Sequence, residues 1–407
     1  YFGVDKKFII IKKGYARIKQ VFDQKNNVIQ QNYFGTDGKP ILNKKRHAQF
    51  INTYDNQNNI IEQKYFGING KPILDDSGVT RIIRAFDKRG NVTELSYFGI
   101  NNKLTLHNKN GYARLISIYD EKGNIVEEKV FGTDGKLVLD KDGSASAKII
   151  YDERNNIIEK AYFGIDNKPI LIKSGYARAT ATYDNRDNKI ETASYGVDGK
   201  LILDKEGYAR IISAYDNQDQ LIKSSFFGAD NKPIISKLGY AQSTAAYDKR
   251  GNQIERASYG VDGKRVLGKN NYAQVTDVFD ERGNKIETAY FGIDNKLVLS
   301  KEGYARITRA YDNQDRGIKW SYFGTDNNPM ISKSGYAQST VAYDKRGNQI
   351  EWASYGVDGN LISGKEGIAR KTYAYDERGN NIETAYFGID NKLVLSKEGY
   401  ARITRAY

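Results

Sequence analysis

Phe279-Asp280-Glu281-Arg282-Gly283-Asn284-Lys285-Ile286-Glu287-Thr288-Ala289-Tyr290-Phe291-Gly292-Ile293-Asp294-Asn295-Lys296-Leu297-Val298-Leu299-Ser300-Lys301-Glu302-Gly303-Tyr304-Ala305-Arg306-Ile307-Thr308-Arg309-Ala310 is one copy of a unit that fills the whole chain. Its opening aromatic-Asp pair recurs at Phe22, Tyr54, Phe86, Tyr119, Tyr151, Tyr183, Tyr215, Tyr247, Tyr311, Tyr343 and Tyr375, and Tyr407 stands in the same phase. The step is 32 residues, with one of 33. A fixed period of this size marks a repeat array, in which each unit buries its apolar face only against its neighbours. The expected organisation is a single array over residues 1–407, twelve full units and a partial one, cut as a window from a longer chain.

Each unit reads as strands separated by three turns, with no helical period. The first turn is Asp280 to Asn284. Its fourth position is only Gly, Asn or Asp, as at Gly283, Gly347, Gly379, Asn155 and Asp315. Those residues enter the left-handed region at least cost, as a type I turn closed by a bulge requires. The second turn runs from Gly292 through Asp294 to Lys296. Asp followed by Gly or Asn between strand residues is a strong hairpin signal. The third, Lys301-Glu302-Gly303, reads as a looser bend or bulge, and the single inserted residue falls there, in His107-Asn108-Lys109-Asn110.

Ala305 to Tyr311 alternates in the two-residue period of a strand. That period predicts Ala305, Ile307 and Tyr311 on one face, and Tyr304, Arg306 and Thr308 on the other. The alanine recurs in nearly every unit, with Thr80 as the exception, and predicts a point of close approach. The return strand is Lys285 to Phe291, and a short third run, Leu297 to Leu299, follows.

The fold class is therefore all-β, and two architectures accommodate the unit. An antiparallel β-hairpin ribbon or superhelix, elongated along the repeat axis, spaces equivalent residues at about 10 Å, two strand separations. A parallel β-solenoid stacks them at about 4.8 Å. The recurring Asp favours the ribbon, because a carboxylate column at the shorter spacing is strongly self-repelling. A longer period is superposed. Glu281–Tyr311 matches Glu377–Tyr407 at every position but Lys285 against Asn381, and Lys223 and Lys319 replace the usual Glu where Gln242 and Gln338 replace the usual Arg. Block duplication accounts for this, and a recurring contact face is the alternative.

Composition excludes several function classes. There is no cysteine, so neither disulfides nor thiolate metal sites form. Mean hydropathy is -0.67 and no apolar run is long enough to cross a bilayer as a helix. The net charge of +13 amounts to about one charge per unit with acids and bases interspersed, the pattern of a solvated surface rather than a nucleic-acid footprint. Only His47 and His107 are present, in one-off positions, and no nucleophile-His-Asp set, phosphate loop or calcium-ligand spacing can be assembled. No catalytic residue, cofactor or metal site is expected, and the chain reads as a non-enzyme.

The 31 tyrosines are the conspicuous resource. A candidate interaction ladder comprises Tyr208, Arg210, Tyr240, Tyr272, Tyr304, Arg306, Tyr336, Tyr400 and Arg402. Packing within the sheet is its bland reading; a platform for sugar rings, protein or copies of itself is the functional one.

Tyr375-Asp376-Glu377-Arg378-Gly379-Asn380-Asn381-Ile382 resembles the core of the tyrosine-aspartate (YD or RHS) repeats of bacterial secreted proteins. The resemblance covers eight to ten residues of each unit, and it implies antiparallel hairpins wound into a spiral or shell. The unit here is longer, carries Asn or Asp at several turn glycines, and shows no shell-closing or self-cleaving segment. Tyr33-Phe34-Gly35-Thr36-Asp37-Gly38-Lys39 is similar to the aromatic hairpins of choline- and glucan-binding cell-wall repeats, which lean on tryptophan, whereas only Trp320 and Trp352 occur here. The expected function is that of an extracellular bacterial fibre, sheath, stalk or adhesin component that self-associates. The alternatives are a glycan- or cell-wall-binding module, and an intracellular scaffold for protein or nucleic acid.

Overall fold

The computed structural model describes residue 10, residues 13–397 and residues 401–405. The chain divides into two compact units, 1–205 and 206–407. Each holds six hairpins of one kind, and the second also carries the short strand Arg402–Thr404. Among the described residues every named element is a β-strand.

One hairpin shows the plan. Gln274–Phe279 pairs with Lys285–Phe291 antiparallel, from Gln274 opposite Phe291 to Phe279 opposite Lys285, with a bulge between Val278 and Phe279. The next hairpin joins through three pairs only, Glu287 with Thr308, Thr288 with Ile307 and Ala289 with Arg306, again antiparallel. Long and short pairings alternate through each unit, so each is an antiparallel hairpin ribbon. The parallel coil is excluded.

The first turn closes as its residues require. Asp280 N–H donates to Asn284 O at 2.9 Å and Gly283 N–H to Asp280 O at 3.0 Å. Gly283 has φ +89°, and all twelve residues at this phase, whether Gly, Asn or Asp, have positive φ. The Asp280 carboxylate accepts the Arg282 and Asn284 amides at 3.0 and 2.8 Å, and the Asn284 side-chain amide at 3.1 Å. At the matching Asp248 and Asp376, the Asn252 and Asn380 side-chain amides hold the carboxyls below the usual carboxylate range.

Two expectations are corrected. The third run is not a strand but a single bridge, Phe291 with Leu297, beside a bond from Val298 N–H to Tyr290 O at 3.0 Å. The run is confined between two turns, and five units place Pro at the phase of Leu297, as at Pro40 and Pro329, where there is no N–H to extend a ladder. The third turn is tight rather than loose: Gly303 N–H donates to Ser300 O and Ser300 N–H to Tyr304 O, both at 2.9 Å, with Gly303 at φ +84°.

Successive third turns are bonded backbone to backbone. Lys301 N–H donates to Asn270 O at 3.0 Å, and the same bond links Lys269 to Leu238, Lys365 to Ser334 and Lys173 to Asp142. This ladder of turns closes one edge of each ribbon. Sequence reading missed it, because the lysine there looks like ordinary surface charge. The recurring alanine sits beneath it. Ala305 is fully buried, donating its N–H to Phe323 O and accepting from Tyr290 N–H, both at 2.9 Å. Thr80 fits the same slot by bonding its hydroxyl to Phe98 O and Gly99 O at 3.0 and 2.9 Å.

Candidate interaction face

The predicted ladder of alternating Tyr and Arg is split between two faces. Consecutive strand residues point to opposite sides of a sheet, so Tyr322 and Phe323 do so. The Tyr304 ring lies 5.0 Å from Tyr322, whereas the Arg306 guanidinium lies 4.1 Å over Phe323. Tyr304 therefore shares the face of Ile307, which is paired with Tyr322, and not that of Arg306. The reason is the third turn. Tyr304 precedes the strand, and the chain bends at Ala305 before alternation begins.

On the tyrosine face the rings form a row. Tyr272, Tyr290, Tyr304, Tyr322, Tyr336 and Trp352 follow one another at centroid distances of 4.9, 5.9, 5.0, 5.9 and 5.7 Å, tilted or edge-on, the arrangement aromatic quadrupoles favour. Tyr208 and Tyr240 flank Phe226 at 5.1 and 5.8 Å. Tyr400 lies outside the described residues.

In the first unit the row runs through Tyr15, Tyr33, His47 and Tyr65, at 4.9, 5.5 and 4.8 Å. His47 thus takes a tyrosine's place in the row. It is buried, burial lowers its pKa to about 4, and the Asn43 side-chain amide donates to its Nε2 at 3.1 Å. His107 packs likewise, 4.6 Å from Tyr97. Among the described residues no three His, Cys, Asp or Glu side chains are grouped to hold a metal ion.

The arginines serve the other face. Arg306 pairs with Glu287 of the preceding hairpin at 2.8 Å while covering Phe323. Arg370 repeats this with Glu351 and Phe387, and Arg178 with Glu159 and Tyr195. Arg210 covers Phe227 at 5.0 Å, and Arg402 stands 3.7 Å from Glu383. The paired departures noted in the sequence now have one location. Glu287 and Arg306 are 19 residues apart, as are Lys223 and Gln242, and Lys319 and Gln338. Where Lys replaces Glu, Gln replaces Arg, and no two cations meet.

The second turns carry a feature that sequence reading passed over. The residue after the turn glycine is an exposed Ile or Val in eight units, from 54% for Val197 to 64% for Ile100. Ile68 and Ile165 join them in a column of the first compact unit, Val261, Ile293, Val357 and Ile389 form one in the second, and Thr36, Thr133, Ala229 and Thr325 stand at the same phase in the remaining repeats. Asp294 and Lys296 sit beside Ile293 and are 3.9 Å apart, so this turn tip is apolar with both charges at its rim, and the same residue types flank Ile165, Val197, Val261 and Ile389. Alternation along a strand could not reveal it, because the residue lies in a turn.

Grooves open where the ring row meets the ladder of turns. One, of about 560 Å³, is lined by Tyr336, Trp352, Lys333, Lys365, Lys371 and Lys397, with Glu302 and Glu366. Another, of about 600 Å³ in the first unit, is lined by Tyr15, Tyr33, Tyr65, Lys13, Lys44 and Lys45, with Asp76 the one carboxylate among the described residues.

No family model and no curated protein matches this chain. Among solved structures, the crystal structure of TcdB2-TccC3-TEV is similar at 11% identity, over 90% of this chain and 22% of that chain, with a TM-score of 0.26. TcdB2-TccC3 without its hypervariable C-terminal region is similar at 10% identity, over 98% and 29%, with a TM-score of 0.25. The Photorhabdus luminescens Tc holotoxin pore gives 11%, 91%, 21% and 0.25. The chain spans less than a third of the length of each.

Proposed function

We propose that this chain is a structural repeat protein, not an enzyme, which works outside the bacterial cell as a fibre, sheath or stalk component and assembles with copies of itself. The observation that carries this reading is the column of exposed Ile and Val at the second-turn tips. Isolated exposed apolar residues need no explanation, but a contiguous or regularly repeated set marks an interaction surface. A second copy has the same pitch, so one matched pair of turns brings the others into register. Asp and Lys together flank five of the eight tips, while Ile68 and Ile100 have Lys without Asp and Val357 has Asp without Lys, so both signs of charge line the set and like sets meet with opposite charges available to pair.

The test is light scattering on a concentration series of the wild type and of the triple variant Ile293→Asp, Val357→Asp and Ile389→Asp. All three sites are exposed, and circular dichroism checks that the variant is folded. Scattering that rises with concentration in the wild type and stays flat in the variant supports the reading. Equal behaviour of the two overturns it.

A further inference from the structure

We propose that the groove between Tyr336 and Trp352 binds an anionic polysaccharide, with the apolar face of a sugar ring on the Trp352 indole and the sugar carboxylate at Lys365. Binding to sugar goes beyond the assembly role, and it uses a different part of the ribbon.

The groove has the two chemistries such a ligand needs. Its aromatic wall is the Tyr336–Trp352 pair of the ring row. Tyr336 and Trp352 stand edge to face at 5.7 Å and 75°, both half-exposed. A sugar presents axial C–H bonds on one face, and an electron-rich ring face offers them both apolar contact and a favourable quadrupole. Its other wall is the ladder of third turns, which brings in lysine from successive units, Lys333, Lys365 and Lys397, with Lys371 from the sheet. Among the described residues four lysines line the groove against two glutamates. Glu366 is engaged with Lys371 at 3.5 Å and with Lys397 at 3.6 Å. Lys371 also lies 5.3 Å over the Trp352 ring, and Lys333 reaches the Lys301 carbonyl. Lys365 is exposed and has no carboxylate partner among the described residues.

In the first unit Tyr15, Tyr33 and Tyr65 also meet Lys13, Lys44 and Lys45, but those rings are buried and Gln31, Gln63 and Asn43 bond to Tyr33, Tyr65 and His47, so those rings offer no face to a sugar.

The pitch favours sugar over nucleic acid. In the second unit, from Lys237 to Lys365, the ladder supplies one lysine per repeat, hence one about every 10 Å, two strand spacings. Phosphates along one strand of duplex DNA recur at about 3.4 Å, so most would lack a partner. A chain with one carboxylate per sugar unit or per disaccharide is the better match.

The two tryptophans make a site-specific test possible. In Trp320→Phe, Trp352 is the only indole. Its emission is followed while an oligogalacturonate is added, at protein concentrations where scattering shows monomer, so that failure of assembly and failure of binding are read separately. The expected result is a saturable change that weakens with salt and loses at least about tenfold in affinity in Lys365→Glu, with Lys365→Gln intermediate. Circular dichroism checks that each variant is folded. An absent change, an equal change with a neutral glucan oligomer, an equally tight response to single-stranded oligothymidine, or an unaltered response in Lys365→Glu overturns the proposal.

Discussion

Tyr311 donates its hydroxyl to the backbone carbonyl of Lys285, 26 residues earlier, at 3.0 Å. Lys285 opens the second strand of one hairpin and Tyr311 closes the first strand of the next. Backbone pairing between these hairpins stops at Thr308, so the tyrosine satisfies a carbonyl that the ladder leaves free. Tyr54 with Val28, Tyr119 with Val92, Tyr183 with Ile157 and Tyr343 with Gly317 repeat it, at 2.9 to 3.2 Å.

That strut predicts a cost for losing one hydroxyl. Tyr311→Phe removes about 1 kcal/mol of local stability while the ring keeps its packing. Phe279→Tyr, at the same phase, adds a similar amount. Hydrogen exchange of the strand amides in Lys285–Phe291 reads the first change, and undiminished protection there contradicts it.

The ion-pair site at the hairpin junction makes a second prediction. Glu287→Lys places a cation against Arg306 and destabilises the hairpin junction by about 1 kcal/mol, given the partial exposure of the pair. Adding Arg306→Gln recreates the natural Lys319/Gln338 combination and restores most of the loss. Urea unfolding of the single and double variants gives the coupling; additive effects would sink the pairing.

The turn ladder makes a third. A methyl on Gly335, at φ +90°, would lie 2.8 Å from the Lys365 backbone nitrogen. Gly335→Ala combines left-handed strain with a backbone clash and costs about 1–3 kcal/mol. Gly359, at φ +78°, has open space around it, and Asn stands in the left-handed region at the same phase in Asn327 and Asn391. Gly359→Asn is therefore expected within about 0.5 kcal/mol of wild type by thermal unfolding.

His47 makes the first unit acid-sensitive. Burial lowers its pKa from 6.5 to about 4, so the unfolded chain binds its proton first as pH falls. The stabilisation is present above pH 6.5 and is lost progressively down to about 4, amounting to roughly 3 kcal/mol. His47→Tyr, which restores the residue found at Tyr176 and Tyr304, removes the dependence in that window. Urea midpoints of wild type and variant at pH 7 and pH 5 measure it. The turn aspartates act lower: their pKa values are depressed, so their contribution is present above the usual carboxylate range and fades as pH falls through the depressed values.

Much of this was legible in the sequence because each unit obeys local rules. Gly, Asn and Asp at one phase demanded positive φ, and all twelve positions have it. The constant Asp argued against close stacking, and the strands are antiparallel. What was not legible depended on where a strand begins. Counting alternation back from Ile307 put Tyr304 on the Arg306 face, and a bend at Ala305 reversed it. The lysine of the third turn looked like a solvated charge because its structural part is its N–H. The coupled Glu-to-Lys and Arg-to-Gln changes were visible as a correlation, but only the register between hairpins shows that they share one site.

Self-assembly through the second-turn column is the central functional claim, and negative-stain electron microscopy of the purified chain across a concentration series tests it most directly. The account predicts regular filaments, sheets or tubes with a constant lateral repeat, absent from the Ile293→Asp, Val357→Asp, Ile389→Asp variant. Monomers that persist to the highest concentration, or assemblies indifferent to those substitutions, would contradict it.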